Sequence, residues 1–302
     1  AIPPGRIGPA VRLFAGLADQ DIGNGTADQL FSATPLLLLA QLALASGRVR
    51  TGSERALRAL ELMGEDRPYL LARPVAAAGV AAAAAAQAGD ATAAAAALDR
   101  IGRRTDRWVP EVRSVLERGR AWTAAARGAL HEATDLALGS AAQLGAAGAH
   151  GLESLALLEA ARVGGAADAA GCLEELTHVV EGPLVGASAS FARALVARDG
   201  AGLDQASTAL EGAGAVLVAA EAAARAASAH ASAGLRRAEA EARRRAVDLA
   251  ERCESAATPL LAGLGDEGGA DLTEREREAV LLVAAGSTTR ATAEALGVSL
   301  PT

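Results

Sequence analysis

The chain has 302 residues, of which 51% are hydrophobic, yet only three phenylalanines, two tryptophans and one tyrosine are among them. All 29 basic residues are arginine and the formal net charge is −7, which excludes a P-loop lysine and Schiff-base chemistry and argues against a generally basic nucleic-acid surface. Alanine supplies most of the apolar residues, and it favours helix strongly while offering little surface to bury. We therefore expect an all-α protein.

The N-terminal part of the chain gives the first predicted helix. The most apolar run, Leu30–Gly47, contains a proline and a glutamine and barely reaches spanning length, so we expect no membrane association. Thr34 is predicted to cap a buried helix with Pro35 at its first position, after an irregular fragment over residues 1–33. Two distant cysteines without a CxxC pair, and no signal-peptide pattern, predict a cytoplasmic location.

Glycines divide the middle of the chain into helical segments at a steady interval. Successive glycines lie 42, 39, 36, 36 and 34 residues apart, the range of two-helix repeats. One helical hairpin cannot bury its own apolar face, so neighbouring hairpins must stack. We predict a TPR-like array of helical hairpins over residues 34–256. An irregular bundle of similar hairpins stays open, because the aromatic pattern of tetratricopeptide units is missing. The glycines are Gly47, Gly89, Gly128, Gly164, Gly200 and Gly234.

The last helix of the array, from about residue 235 to 256, is predicted to carry three ion pairs between residues four apart, with the acid first in each. Because acids interleave with the arginines, this pattern favours a solvated helix face over a DNA-binding patch. A glycine-rich segment with Pro259 follows and predicts a linker over residues 257–271. The three predicted pairs are Glu239–Arg243, Glu241–Arg245 and Asp248–Arg252.

Residues 272–302 have the pattern of a helix-turn-helix. A capping box opens a first helix at Thr273, and Thr288 is placed to cap a second, short helix that runs to about Leu296. A glycine turn follows, and Ser299 stands as the N-cap of a third helix. The residues predicted to face inward are Ala279, Val280, Val283, Ala284, Thr292, Ala293 and Leu296.

This stretch resembles the LuxR-type helix-turn-helix in "LTEREREAV", in "AAG", in the Ala293 and Leu296 of "AEAL", and in "VS" with Thr302. The stretch from "RALVARDG" to "ESAATPLL" looks like the segment before the DNA-binding domain in large, MalT-like LuxR-family regulators. The resemblance implies a transcriptional regulator with DNA as its partner, and a nucleotide-binding module, hence ATP, before Ala1. The DNA-contacting residues that we predict are Thr288, Thr289, Arg290, Ser299, Leu300 and Thr302.

The match covers the first half to two-thirds of the motif, so we interpret residues 272–302 as a truncated reader and expect that this chain alone does not read DNA. The helical repeats would serve sensing, oligomerisation or partner binding, with a second copy, a protein or a small molecule as the partner. The alternative is a helical-repeat scaffold for protein–protein interaction that does not bind DNA.

Patterns of catalytic or metal-ligating residues do not stand out, so we expect that the chain is not an enzyme and holds neither metal nor cofactor. The segment "HEATD" has Asp135 where a zinc-protease helix carries its second histidine. His131 and Asp135 are therefore predicted to form a surface pair on one helix face.

Overall fold

The computed structural model describes residues 26–63, 72–101, 109–262 and 264, together with 278–280, 282 and 289–296. The described chain is helical and contains no β-strand, which confirms the predicted all-α class. In these ranges no helix is both long enough and apolar enough to cross a membrane. The α-helices are α1 (Thr26–Ala45), α2 (Val49–Met63), α3 (Ala72–Gln87), α4 (Ala91–Asp99), α5 (Pro110–Ala126), α6 (Leu130–Ala146), α7 (His150–Ala160), α8 (Ala166–Leu176), α9 (Pro183–Ala197), α10 (Gly200–Gly212), α11 (Val216–Ser232), α12 (Arg236–Glu251) and α13 (Thr289–Ala295).

Helix α1 begins at Thr26, so the predicted start at Thr34 is wrong, and Pro35 lies inside the helix. A proline in a helix interior removes one backbone hydrogen bond and costs about 3 kcal/mol. Burial on both sides of Pro35 offsets that cost, because Ala33 is fully buried and Leu37 and Leu39 are nearly so. The Thr34 hydroxyl does not cap the helix; it accepts a hydrogen bond of 2.9 Å from Arg73 Nη1 of α3.

Seven turns between consecutive helices close with the same backbone hydrogen bond, from a residue just past the helix to the carbonyl five positions earlier. This is the Schellman pattern, which needs one left-handed residue at the helix end. Glycine fills that position in six of the seven turns, with φ between 72° and 86°. The donor–acceptor residues are Arg48–Ala43, Asp90–Ala85, Ala129–Ala124, Ala149–Leu144, Asp199–Ala194, Ala215–Leu210 and Leu235–His230.

Four of the six predicted turn glycines, at 47, 89, 128 and 234, occupy this left-handed position. Gly164 also has a positive φ, but it lies in a five-residue π-helical kink, Ala161–Gly165, between α7 and α8. Gly200 was predicted wrongly: it is the first residue of α10, and Arg198 takes the left-handed position. A glycine is needed at 200 for another reason, since a methyl group there would lie 2.6 Å from the ring of His230.

The helical hairpins stack so that α1, α3, α5, α7 and α9 pack in succession, each also against its neighbours in sequence. Two helices lie deepest: α3 buries twelve of its sixteen residues and α11 twelve of its seventeen. Fifteen of these twenty-four residues are alanine, so backbones approach closely but little apolar area is buried per residue. The larger core cluster contains residues of every helix from α1 to α12 except α8, and a second cluster joins α8 to α5, α6, α7 and α9, so the repeat region forms one packed body.

The two ends of this helical body meet. A methyl group added at Gly47, after α1, would lie 2.8 Å from Cys253 Sγ and 3.1 Å from Leu217 Cβ. In an open repeat array each repeat contacts only its neighbours. Contacts across more than 160 residues show that the body is closed on itself.

The segment predicted as a linker begins as part of the body. The Ala257 amide donates a hydrogen bond of 2.7 Å to the Gln87 carbonyl at the end of α3. Thr258 and Leu261 are buried, and Leu264 packs on the core cluster. The helix ends at Glu251, short of the predicted end near residue 256, and the leucines explain why the chain after it still packs on the body: their apolar side chains bury although the segment is not helical. Residues 265–271 of the predicted linker lie outside the described residues.

The crossing of α3 and α5 depends on two glycines that face each other. A methyl group at Gly79 would collide with the Val115 carbonyl, and one at Gly119 would lie 2.7 Å from the Gly79 carbonyl. Both obstacles are backbone atoms, which a rotamer change cannot move.

We expect Gly79→Ala to lower the free energy of unfolding by about 1–3 kcal/mol, because the added methyl group must push α5 away. Gly139→Ala is the matched control: residue 139 is exposed inside α6 with open space around it. There alanine should stabilise by about 0.5–1 kcal/mol through helix propensity. Urea unfolding followed by circular dichroism compares the two, and equal stabilisation by both would contradict the close crossing.

Candidate functional site

Helix α13 lies where the second helix of the predicted helix-turn-helix was placed, over Thr289–Ala295 with Leu296 in the turn after it. Thr292 and Ala293 are each 7% exposed, and Leu296 is half-buried. These are the residues predicted to face inward on this helix, so that prediction is confirmed.

Part of the predicted first helix is described, at residues 278–280 and 282, and it is helical. Val280 was predicted to face inward and is 51% exposed, whereas Leu282 is 8% exposed. Ala279, three residues before Leu282, is half-buried. The buried stripe therefore follows positions 279 and 282, one helical turn apart, and leaves Val280 on the outer face. Val283 and Ala284 lie outside the described residues.

Of the predicted DNA-contacting residues, two belong to α13. Thr289 is its first residue, and Arg290 is exposed. The other four fall outside the described residues: Thr288, Ser299, Leu300 and Thr302.

A buried cluster of charged side chains, which we call the Arg162 cluster, lies between α3, α5, α7 and α11. Sequence patterns did not single it out. Arg162 stands on the π-helical kink and is 2% exposed, and Glu221 of α11 is fully buried. The members are Gln87, Arg118, Trp122, Glu159, Arg162 and Glu221.

The Arg162 guanidinium uses all three of its nitrogens in this cluster. Its Nε and Nη2 donate to the two oxygens of Glu221 at 2.7 and 2.9 Å, a bidentate pair. Its Nη1 donates to Glu159 Oε2 at 2.7 Å, and Nη2 also donates to Gln87 Oε1 at 3.2 Å. The guanidinium carbon lies 4.5 Å from the centre of the Trp122 ring, within the range of a cation–π contact.

Glu159 has two further contacts in the cluster, to Trp122 and to Arg118. Trp122 Nε1 donates to its Oε2 at 3.0 Å, and Arg118 Nη2 lies 2.5 Å from its Oε1. Two arginines thus face two glutamates, and the buried cluster is neutral overall. Within the cluster, Gln87 Nε2 and Arg118 Nε are buried without a hydrogen-bond partner.

Electrostatics keep Arg162 and Glu159 ionised. Burial lowers the pKa of Arg162, but attraction to Glu221 and Glu159 outweighs it and raises that pKa above its ordinary value. For Glu159 burial raises the pKa, and the charges of Arg118 and Arg162 outweigh it, so the pKa ends below the usual range. Neither group is a proton donor or acceptor near neutral pH. The arrangement suits a structural bridge between four helices and not acid–base chemistry.

Burial also makes the Cys253 thiol a poor nucleophile. Both cysteines are free, and burial raises the pKa of the Cys253 thiol to about 11, far from a reactive thiolate. In the part of the chain that the structure describes, no group of three or more potential ligands could hold a metal ion. His131 and Asp135 form the predicted surface pair, with Nε2 and Oδ2 3.6 Å apart.

A surface groove of about 540 Å³ lies between α10 and α12. Of the three ion pairs predicted for α12, Glu239–Arg243 is confirmed at 3.2 Å. The other two predictions are wrong, because Arg245 and Arg252 both bind Glu211 of α10, at 2.7 and 2.6 Å. The hydrogen bond from Arg252 and the charge of Arg245 lower the pKa of Glu211 despite partial burial. The groove is therefore lined by charges of both signs, of which Glu211 pairs with Arg245 and Arg252.

The Arg162 cluster leaves one weak signal in the sequence. Glu221 is the single acid of α11, "VLVAAEAAARAASAHAS", in an otherwise apolar first half. An acid in the apolar half of a helix is expected to be buried, and a buried charge needs a partner. Which arginine provides it could not be found from periodicity, since Arg162 lies 59 residues away.

Comparison with known proteins adds no relative. No protein-family model matches the chain, and no curated protein is significantly similar to it.

Removing one partner from the cluster should be strongly destabilising. We expect Arg162→Ala to lower the free energy of unfolding by about 3–5 kcal/mol, because it leaves Glu221 buried without a counter-charge. The control is Arg193→Ala, which breaks the exposed pair with Glu174 (3.0 Å) and should cost about 0–1 kcal/mol.

A double variant separates the cost of leaving one charge buried without a partner from the net contribution of the pair to stability. Arg162→Met with Glu221→Leu removes both ends of the bidentate pair, so it should lose less stability than either single substitution. Chemical denaturation compares the unsubstituted protein with Arg162→Met, Glu221→Leu, their combination, Arg162→Ala and Arg193→Ala. Equal costs for Arg162→Ala and Arg193→Ala would contradict a buried, paired Arg162.

Proposed function

We propose that the chain belongs to a DNA-binding transcriptional regulator of the LuxR type, in which residues 272–302 contribute to the DNA-reading unit and the helical body carries that unit. The observation that carries the proposal is the ordered motif of residues 272–302, with α13 at the predicted place and its predicted inner side chains buried. Thr292 and Ala293 line that inner face.

In this proposal the outer face of α13 lies toward DNA. Arg290 is exposed there, and an arginine near the start of a helix of this kind suits a phosphate contact. Sequence reading belongs to the helix that Ser299 would begin, since the second helix of the pair enters the major groove. Affinity that does not depend on sequence would come from phosphate neutralisation.

The helical body is proposed to act as a rigid carrier with partner-binding surfaces on its outside. The alternative function, a scaffold that takes up a peptide in a concave groove, requires the inner helices to be open. Here α3 and α11 are buried on most sides, and the Arg162 cluster occupies the space between the inner helices. A closed body of this kind favours partners, including a second copy, that bind its outer helices. A cytoplasmic location fits this proposal.

DNA selection tests the proposed function. The gene product of the complete reading frame is incubated with random duplex DNA, and bound sequences are enriched over several rounds. We expect one enriched site. Arg290→Ala should weaken binding to all sequences alike, and it should reduce the slope of log affinity against log salt concentration by about one.

The matched control is Arg58→Ala, which removes an exposed arginine of α2 that pairs with Glu61. It should leave DNA affinity unchanged. Absence of any enriched sequence, or equal weakening by Arg58→Ala and Arg290→Ala, would contradict the proposal.

A further inference from the structure

Residues 252–262, which we call the strap, run from the end of α12 across the first hairpins of the body. The chain turns through two consecutive left-handed residues that are not glycine, Glu254 with φ of 54° and Ser255 with φ of 66°. Side chains disfavour this conformation, and the helix-ending turns of the body use glycine for it in six of seven cases. The two residues are held there by what the strap contacts.

The Glu254 carboxylate caps a helix that lies about two hundred positions earlier in the chain. Its Oε2 accepts the Thr51 amide at 2.7 Å, and its Oε1 accepts the Thr51 hydroxyl at 2.6 Å. Thr51 is the third residue of α2, where a capping acceptor is needed. The residue before α2 is Arg48, whose side chain has no acceptor, so the cap comes from the strap.

The Glu254 carboxylate is ionised at the start of α2. Burial raises its pKa, but the two hydrogen bonds from Thr51 and the charges of Arg50 and Arg48 outweigh it and lower the pKa. A carboxylate also interacts favourably with the positive end of a helix. The cap is therefore ionised and attractive near neutral pH.

Two further contacts fasten the strap. At its start, Cys253 is fully buried against the turn at Gly47. In its middle, the Ala257 amide binds the Gln87 carbonyl, which lies at the end of α3 and next to the Arg162 cluster. The strap thus joins the start of α2, the end of α3 and the end of α12 at one place.

We propose that the strap is a releasable fastening that holds residues 252–262 on the first hairpins and so fixes where the chain leaves the body toward residues 272–302. The strap has two states. The Glu254 cap stabilises the docked state, and the strain of the left-handed turn, which relaxes on release, favours the released state. Release would uncap α2 and free the tether of the DNA-reading unit. The part about that unit rests on the proposed function, whereas docking and release of the strap do not.

Hydrogen–deuterium exchange on the whole chain tests the strap. We expect Glu254→Ala to raise exchange about fivefold to tenfold in two separate segments, residues 49–53 and 253–262, as loss of a helix cap does. Helix α5 should keep its protection. Glu251→Ala, an exposed residue of the preceding helical turn, is the matched control and should change neither segment.

Increased exchange confined to residues 253–256 would overturn the proposal, because Glu254 would then act only locally. An increase throughout the body, α5 included, would also overturn it, since the contact would then be a general stabiliser. Ser255→Gly supplies a second measurement if Glu254→Ala fails to fold. Relief of the left-handed strain should lower exchange in both segments, and unchanged exchange would show that the turn does not poise the strap. None of these results depends on DNA binding, so failure of the DNA selection leaves the strap testable.

Discussion

The buried bidentate pair between Arg162 and Glu221 is the contact on which the rest of this body depends. An alanine-rich core supplies close packing but little apolar area per residue, so many slightly shifted arrangements of its helices would bury nearly the same surface. A buried charge does not allow such shifts, because the folded state loses several kcal/mol of stability when the charge does not meet its partner. The pair therefore fixes α11 against the kink after α7, and Gln87 and Trp122 extend that constraint to α3 and α5.

Closure follows from the same constraint. With α11 held at the centre, α12 and the strap lie beside the first hairpins, and Glu254 reaches the start of α2. The first hairpin and the strap, which would fray in an open array, are joined. For the proposed regulator, a closed body offers a firm base from which the DNA-reading unit extends, and the point of attachment is itself a contact that can form or break. In this proposal partners bind the outer helices and the strap, and not an inner groove.

Local patterns in the sequence predicted the local structure well. Alanine content predicted the all-α class, and turn glycines such as Gly47 and Gly128 were found because a left-handed helix end needs a residue without a side chain. The inner face of α13 was predicted for a similar reason, since helical period and caps are properties of a few neighbouring residues. The start of α1 was misplaced because burial outweighed the cost of Pro35.

Contacts between residues far apart in the chain could not be predicted from the sequence. Arg245 and Arg252 were assigned to acids four residues away, yet both bind Glu211 of another helix, which no period within α12 reveals. The same holds for Glu254, which lay in a region interpreted as the end of a helix before a linker, and for the partner of Glu221. Such pairs depend on how helices stack, and an alanine-rich sequence carries few shape cues for stacking.

Equilibrium unfolding tests closure of the body most directly. In a Trp108→Phe variant, Trp122 is the one remaining tryptophan and reports the Arg162 cluster by fluorescence, while far-UV circular dichroism reports all the helices. A closed body predicts that both signals change in a single transition with the same urea midpoint. An earlier loss of helix, completed before Trp122 changes its emission, would show that hairpins melt independently and would contradict the account.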